Sequence, residues 1–204
     1  MRRPVIYLFM EKKKIHSDLL KTGMLLFGEK GYHGTGIKEI VESLKVPKGS
    51  FYNYFKSKEH FACEIVKDYT GILDALWNDW IAEGPENDPL LMLQKCFENL
   101  ITMQEKRTVQ TGCLIGNLAG ELAESSDLCR QSLNNAKNIW CNRLSVHLER
   151  AQKLGLARKD ITADKLAGLC WDIWEGALLR MKVENSTDAI RETITMLFQV
   201  FLRD

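Results

Sequence analysis

The stretch VPKGSFYNYFKSKEHF, residues 46–61, decides the fold of this chain. It opens with the chain-breaking residues Pro47 and Gly49 and then combines four aromatic residues at positions 51 to 55 with three lysines. Phe51 and Phe55 lie four residues apart, a spacing that places two side chains on one face of a helix. The pattern predicts a very short helix that is anchored through Phe51 and Phe55 and exposes its basic side.

Two helices are predicted before this stretch. Apolar residues recur at helical spacing from His16 to Lys30, and Gly31 then ends that helix as a capping glycine. Thr35 is predicted to cap a second helix, which ends before Pro47 because the residue preceding a proline is driven out of the helical region. Two helices joined by a tight turn, the second short and basic, are typical of a recognition helix that enters the DNA major groove.

Helical periodicity continues through the rest of the chain, and no convincing strand alternation is visible. Ser57 is the predicted N-cap of a long helix, and Asp88-Pro89 begins another. Further helices are predicted from Gly112, from Asp127 to about Leu154, from Thr162 to about Val183 and after Asp188. We therefore expect an all-α fold of about nine helices, with an N-terminal three-helix bundle that contains a helix-turn-helix and a larger C-terminal helical domain.

The charge of the chain is unevenly distributed. Its 204 residues carry a net charge of +1, but residues 1–60 hold 12 Lys/Arg against 6 Asp/Glu, which leaves 16 against 21 in residues 61–204. A net charge of +6 beside one of −5 predicts a small polyanion-binding module on a larger domain. The competing interpretation is a charge fluctuation on a solvated surface.

The six cysteines form no CxxC pair and have no histidine spacing suited to zinc. We therefore expect reduced cysteines in a cytoplasmic protein, with no metal and no cofactor. The apolar run at residues 5–10 is followed by lysines rather than a cleavage site, which argues against secretion. No 18 apolar residues occur together, so no membrane span is predicted.

The sequence contains no motif of a known class of enzyme: HExxH, GxSxG, GxxxxGK[ST] and GxGxxG are all absent. We therefore expect no enzymatic activity. The alternatives are a helical small-molecule-binding protein or enzyme without a DNA role, and a helical adaptor for other proteins. Salt-sensitive retention on duplex DNA distinguishes a regulator from all of them.

The longer stretch GYHGTGIKEIVESLKVPKGSFYNYFKSKEHF, residues 31–61, resembles the DNA-binding signature of the TetR family of bacterial transcriptional regulators. The resemblance covers roughly residues 14–62. It implies a homodimeric repressor that binds a near-palindromic operator in double-stranded DNA and is released by a small-molecule effector. Residues 1–60 would be the DNA-binding domain, with 1–13 as a candidate flexible extension, and 61–204 the ligand-binding and dimerisation domain.

The resemblance also implies a set of DNA-facing residues: Thr35, Lys48, Gly49, Ser50, Tyr52, Asn53, Tyr54 and Lys58. Two positions depart from the family pattern. Gly36 stands where Ser or Thr is common, and Tyr54 stands where His is frequent. The first departure removes a side chain from one phosphate contact, and the second would replace an imidazole by a hydroxyl.

The segment TGCLIGNLAGELAESS, residues 111–126, places Gly112, Gly116 and Gly120 four residues apart, where another helix could approach closely or a cavity could remain. Its GCLxGNL motif resembles a TetR subgroup that includes regulators of reductases for reactive electrophiles, some of which respond through a cysteine. Cys113 occupies that position, and a helix N-terminus favours a thiolate. Packing as a small apolar side chain is the alternative.

Two further surfaces are predicted in the C-terminal domain. One is an apolar effector pocket lined by five tryptophans with two polar residues; the alternative is an ordinary core. The other is a dimer interface formed by the last two helices, which pair with their counterparts through an apolar face that includes Leu197, Phe198 and Phe201; internal burial is the alternative. The pocket residues are Trp77, Trp80, Trp140, Trp171, Trp174, Asn117 and His147.

Overall fold

The computed structural model describes the backbone of residues 5–203 and the side chains of residues 13–203. This part of the chain contains nine α-helices and no strand, which confirms the all-α prediction. The helices are α1 (Val5–Lys30), α2 (Ile37–Ser43), α3 (Lys48–Tyr52), α4 (Lys58–Ala82), α5 (Pro89–Glu105), α6 (Leu114–Leu122), α7 (Asp127–Lys153), α8 (Ala163–Glu184) and α9 (Asp188–Met196), followed by a π-helical turn (Leu197–Phe201).

Most predicted helix ends agree with the structure because their capping chemistry is local. Gly31 ends α1 with a backbone φ of 75°, and its N–H donates to the carbonyl oxygen of Phe27 at 3.1 Å. Asp88 caps α5 by accepting the N–H of Leu91 at 2.9 Å, with Pro89 in the first turn. α6 starts two residues later than predicted, at Leu114, because Gly112 has a left-handed φ of 73°.

α1 is longer than the sequence pattern predicts, since it begins at Val5 rather than at His16. The candidate flexible extension of residues 1–13 is therefore helical from Val5 onward. Residues 1–4, the beginning of that extension, lie outside the described residues.

The chain divides into two compact units. The first contains the residues up to Thr70 together with Asn117–Leu133, and the second contains Gly71–Gly116 together with the chain from Asn134 onward. The first unit thus includes α1 to α3, the first half of α4, most of α6 and the beginning of α7. The predicted functional boundary after residue 60 remains a prediction.

Four phenylalanines form the centre of the first unit. Phe27, Phe51, Phe55 and Phe61 are fully buried, and their rings meet with centroids 4.6 to 5.8 Å apart. Gly23 lets α1 approach this cluster closely, because a Cβ atom at that position would lie 2.3 Å from the ring of Phe61. α3 is therefore held by the same core that joins α1 to α4.

The centre of the second unit is also aromatic. The ring of Phe97 on α5 lies 5.3 to 6.2 Å from the rings of Trp77, Trp140, Trp174 and Phe198. These residues come from α4, α7, α8 and the C-terminal π-turn. None of the described helices combines the length and apolar character that a bilayer-spanning segment requires.

Candidate nucleic-acid interface and effector site

The two faces of α3 have opposite environments. Phe51 is 0% exposed and Phe55, just beyond the helix, is 1% exposed, while Tyr52 between them is 52% exposed. Lys48 and Asn53 are also exposed. A helix of five residues is too short to be stable alone, so its conformation depends on the buried phenylalanines. The prediction that Phe51 and Phe55 anchor the helix from behind is confirmed.

The N-terminal end of α3 is open to the outside. A Cβ atom added at Gly49 would meet no heavy atom within 4 Å, so the fold itself does not require glycine at this position. Ser50 is half-buried and its N–H donates to the carbonyl oxygen of Pro47 at 2.8 Å. The exposed Lys45 lies in the turn before α3 with a φ of 55°, and the sequence analysis did not identify it.

Tyr54 is partly committed to packing. It is half-buried, and its ring lies edge-on to the ring of His16 with centroids 5.6 Å apart. His16 in turn stacks on Phe55 at 5.2 Å. The two predicted DNA-facing aromatic residues therefore differ in exposure, since Tyr52 is exposed and Tyr54 is half-buried.

Thr35 does not occupy the predicted position. Its side chain is 1% exposed, and its hydroxyl donates to the carbonyl oxygens of Gly31 at 2.8 Å and Leu26 at 3.2 Å. The N-cap of α2 is Gly36, without a side-chain capping bond. The hydroxyl of Thr35 thus satisfies carbonyl groups at the end of α1 and is not directed outward.

Lys58 is also turned toward the protein. Its ammonium group donates to the carbonyl oxygen of Tyr32 and lies 4.0 Å from the centroid of that ring. Burial lowers the pKa of Lys58, with the charge of Glu121 acting in the opposite direction. In this structure Lys58 stabilises the connection between α1 and α2 instead of extending the exposed surface of α3.

Glu121 on α6 is a residue that sequence reasoning missed. Its carboxylate accepts the backbone N–H groups of Tyr32 at 2.9 Å and of His33 at 2.8 Å. Gly31 makes room for it, because a Cβ atom there would lie 2.5 Å from the carboxylate. An acidic residue in the last turn of a helix carries no sequence signal for this contact. The turn after α1 is thus bound to both Glu121 and Lys58 within the first unit.

Cys113 lies immediately before α6, as predicted, but it is buried. Burial raises the pKa of its thiol well above the ordinary value, and the neighbouring Glu175 raises it further. The N–H groups of Gly116 and Ile115 act in the opposite direction and are outweighed. The expected thiolate is therefore disfavoured, and the thiol form prevails at neutral pH.

The glycine strip of this segment serves close packing at two of its three positions. A Cβ atom at Gly112 would lie 2.6 Å from the side chain of Lys182, and one at Gly116 would lie 2.1 Å from the carboxylate of Glu175. Gly120 has open space instead. The absence of side chains at Gly112 and Gly116 thus admits two charged side chains of α8. Burial raises the pKa of Glu175, with Cys113 and Lys182 acting against it.

The tryptophans predicted to line a pocket do lie together in the second unit. Trp140 is 5.6 Å from Trp77 and 5.5 Å from Trp171 between ring centroids, and Trp80 is 6.5 Å from Trp77. Trp77, Trp140 and Trp174 are buried, whereas Trp80 and Trp171 are half-buried. The cluster is continuous with the core around Phe97, which the sequence analysis named as the alternative.

Two of the residues predicted to line the pocket have a polar side-chain atom without a hydrogen-bond partner. The indole nitrogen of the buried Trp77 and Nδ1 of the half-buried His147 make no hydrogen bond. Burial lowers the pKa of His147, and the charges of Arg150 and Arg143 lower it further, so the imidazole is neutral at pH 7. Asn117, the other predicted polar residue, lies on α6 in the part assigned to the first unit.

The C-terminal apolar face is not the exposed surface that was predicted. Leu197 and Phe198 are buried and Phe201 is half-buried, because α9 packs on α8 and α5. The large exposed hydrophobic residues of the last two helices and the π-turn are instead Leu169, Leu179, Val183, Met196 and Val200. Among the residues with described side chains, no group of three or more His, Cys, Asp or Glu is arranged to hold a metal ion.

Comparison with known proteins gives two family matches. The family described as "Bacterial regulatory proteins, tetR family" matches residues 19–65. The family described as "Tetracyclin repressor-like, C-terminal domain" matches residues 89–197. Together the matches cover the candidate DNA interface and most of the second unit.

Individual relatives match over nearly the whole chain. The chain is 31% identical to the HTH-type transcriptional repressor DhaR of Mycobacterium sp. (strain GP1), over 95% of each protein. It is 32% identical to the transcriptional regulator AcuR of Cereibacter sphaeroides, over 86% of this chain and 80% of AcuR. A crystal structure of a regulatory protein TetR from Rhodobacter sphaeroides has a TM-score of 0.83 and 30% identity, covering 90% of this chain and 97% of that one.

A crystal structure of reduced E. coli NemR has a TM-score of 0.81. It is 23% identical in sequence and covers 89% of this chain and 94% of NemR. At this level of identity it supports the fold alone.

Proposed function

Because the chain belongs to the tetR family of bacterial regulatory proteins, we propose that it binds a near-palindromic operator as a homodimer and leaves it when an effector binds the second unit. The relatives are transcriptional regulators and not enzymes, which confirms the expectation that this chain is not an enzyme. The observation that carries the proposal is the division of α3 into a fully buried aromatic face and an exposed face with Lys48, Tyr52 and Asn53.

The proposed DNA contacts follow from exposure. Lys48 provides a positive charge at the start of α3, where side chains reach base edges and phosphates. The open space around Gly49 lets the backbone approach the duplex, and the hydroxyl of Tyr52 can donate to a phosphate oxygen. Asn53 is the exposed side chain suited to a base edge. Ser50 and Tyr54 remain in the proposed set as half-buried members; Thr35 and Lys58 act inside the fold in this structure.

The proposed homodimer uses the exposed apolar residues of α8, α9 and the π-turn. Leu179 and Val183 lie one turn apart on α8 and are 64% and 79% exposed, and Met196 and Val200 are also largely exposed. Exposed apolar groups of this kind are expected to be covered by the same surface of a second copy in a symmetric interface. Leu179→Glu combined with Val183→Glu is expected to give a monomer by sedimentation analysis. A dimer that survives both changes would place the interface elsewhere.

The proposed effector site is the tryptophan cluster. Aromatic walls with a few unpartnered polar atoms are typical of small-molecule sites, and Trp77 and His147 supply such atoms. The neutral imidazole of His147 can accept or donate a hydrogen bond at physiological pH. The proposed effector is therefore an apolar molecule with at least one hydrogen-bonding group, which releases the operator by binding better to a conformation with another separation of the recognition helices.

A second proposed route of release is modification of Cys113. It rests on the GCLxGNL motif and its resemblance to electrophile-responsive regulators, and the raised pKa of the thiol acts against it. Cys113→Ser separates the two routes. Release by an electrophile that disappears in this variant supports cysteine modification, whereas unchanged release assigns the response to the tryptophan cluster.

Selection of bound duplexes from genomic DNA is the experiment that tests the proposed function. We expect a few sites with two half-sites whose centres are about 34–36 Å apart or somewhat more, and affinity that falls steeply with salt. Lys48→Ala and Tyr52→Phe should each weaken binding to the selected duplex without unfolding the protein. Absence of binding to any duplex would contradict the proposal and favour a small-molecule-binding protein without a DNA role. Binding that is unchanged in both variants would show that α3 is not the recognition helix.

A further inference from the structure

A pair of thiols lies in the first unit, outside the sites described above. The sulfur of Cys63 on α4 and that of Cys129 in the first turn of α7 are 3.7 Å apart. Cys63 is half-exposed, whereas Cys129 is buried. Cys63 is therefore the member of the pair that lies closer to solvent. The remaining four cysteines are free as well.

Hydrogen bonds hold the backbone of both cysteines in place. The hydroxyl of Ser132 donates to the carbonyl oxygen of Cys63 at 3.5 Å, and the N–H of Cys129 donates to the hydroxyl of Ser126 at 3.3 Å. The sulfur of Cys129 is also 3.8 Å from the carbonyl oxygen of Glu59. Apolar side chains surround the pair, and they belong to Ala62, Val66, Leu118, Leu122 and Leu133.

The geometry is close to that of a disulfide. A disulfide requires a sulfur–sulfur distance of about 2.0 Å, so the two atoms need to approach by roughly 1.7 Å from their present separation. Rotation of the two side chains about their Cα–Cβ bonds is the motion that would bring the sulfur atoms together. The surrounding hydrogen bonds through the backbone of Cys63 and Cys129 can persist in both states.

We propose that Cys63 and Cys129 are a redox-sensitive pair that forms a reversible intramolecular disulfide when the protein meets a peroxide. In the first step the sulfur of Cys63 attacks the peroxide, the O–O bond breaks, and Cys63 becomes a sulfenic acid with release of water or an alcohol. In the second step the sulfur of Cys129 displaces hydroxide from that sulfenic acid, which leaves as water with the thiol proton. Two thiols are oxidised and one peroxide is reduced.

The resting state of the pair is the dithiol. Burial raises the pKa of Cys63 to about 12, with Cys129 and Glu59 adding to the effect and the hydroxyl of Ser132 opposing it. Tyr32, the other titratable group that interacts with the pair, likewise has its pKa raised to about 12 by burial and is neutral. The thiolate fraction, and with it the first step, is therefore small at neutral pH and increases as the pH rises.

The disulfide would join α4 to α7 within the unit that contains the recognition helix. It would close a long loop between positions 63 and 129, which restricts the unfolded chain more strongly than a short loop does. The oxidised protein is therefore expected to unfold at a higher temperature, by roughly 5 °C or more. This inference is independent of the proposed regulator function, because neither the reaction nor its test involves DNA or an effector.

Peptide mapping of the native protein after treatment with hydrogen peroxide tests the pair. Combined digestion with trypsin and Asp-N separates Cys129 from Cys113 and yields EHFACEIVK with Cys63 and DLCR with Cys129. We expect these two peptides to be linked, with the loss of two hydrogen atoms, and to be released by dithiothreitol. The control variant Cys141→Ser should form the same link, and Cys63→Ser should not.

Two results would overturn the inference. One is native wild-type protein in which peroxide converts Cys63 to sulfinic acid or leaves it unchanged without any link to Cys129. The other is a link from Cys63 to Cys113 that exceeds the link to Cys129. Both are measured on the wild-type chain, so the test does not depend on whether the serine variants fold.

Discussion

The proposed recognition helix α3 and the tryptophan cluster of the second unit both contain several aromatic residues, but the arrangement of these residues differs. In α3 the aromatic residues alternate between a buried anchor and an exposed surface, so that Phe51 is 0% and its neighbour Tyr52 is 52% exposed. In the tryptophan cluster the rings contact one another and the core around Phe97. A binding surface like that of α3 can be distinguished from a core by its sequence pattern, because buried and exposed aromatic residues alternate. A binding site like the tryptophan cluster has the same sequence pattern as a core.

The contrast within α3 is expected to have the largest energetic effect. Phe51→Ala removes a fully buried ring and should lower the free energy of unfolding by about 3–5 kcal/mol. Tyr52→Ala is the matched control at the next position, and it should change stability by less than about 1 kcal/mol because that ring is half exposed. Denaturant unfolding of both variants measures the difference. Equal losses of stability would mean that α3 does not have two distinct faces.

Glu121 tests whether the helix-turn-helix is braced by α6 as well as by its own core. Glu121→Gln retains the shape of the side chain but removes the charge that accepts the N–H groups of Tyr32 and His33, and it should cost about 2 kcal/mol of stability. Glu124→Gln on an exposed position nearby is the control, and it should be close to neutral. If the two variants are equally stable in thermal denaturation, the carboxylate of Glu121 does not hold the turn after α1.

The charge of Lys48 provides a direct test of whether the exposed face of α3 binds DNA. Lys48→Ala should weaken binding to the selected operator about tenfold, or about 1.4 kcal/mol, and should reduce the slope of log affinity against log salt by about 1. Lys95→Ala removes an exposed lysine from α5 in the second unit and should alter neither value. Fluorescence anisotropy across a salt series gives both quantities. An equal loss for the two lysines would indicate a general effect of charge.

The effect expected at Cys113 concerns the rate of a chemical reaction and neither stability nor DNA binding, and it depends on pH. Because burial and Glu175 raise the pKa of its thiol, the reactive thiolate is scarce at pH 7 and increases about tenfold per pH unit below that pKa. Alkylation of Cys113 should therefore be slower than that of free cysteine at pH 7 and should accelerate as the pH rises to 9. Glu175→Gln should accelerate it at fixed pH. A rate that is fast and independent of pH in this range would show a thiolate at neutral pH.

The fold and the anchoring of α3 could be predicted because they depend on spacing along the chain. The helical period, the glycine at position 31 and the pair Phe51 and Phe55 are local features that tertiary contacts did not override. Thr35 and Lys58 could not be placed in this way. Their partners are carbonyl oxygens at the end of α1 and in the turn that follows, whose positions are set by the packing of three helices.

The C-terminal region shows a second limit of the sequence pattern. Its apolar face was correctly identified, since Leu197 and Phe198 are buried and Phe201 is half-buried, but its partner was not. Helical periodicity shows which apolar residues are expected to be buried. It does not show whether the residues that bury them belong to the same chain. Here α8 and α5 provide it, and a different set of apolar residues remains exposed. A similar ambiguity applies to Cys113, because the N–H groups at the start of α6 lower the pKa of its thiol and the buried Glu175 raises it.

Site-specific photocrosslinking tests the central claim that the exposed face of α3 contacts DNA. Benzoylphenylalanine in place of Tyr52 and, as the control, in place of the exposed Leu154 in the second unit would be irradiated with the selected operator duplex. The account predicts a crosslink from position 52 that an excess of unlabelled operator suppresses, and none above background from position 154. Equal crosslinking from the two positions, or none from position 52 while the complex forms, would contradict it.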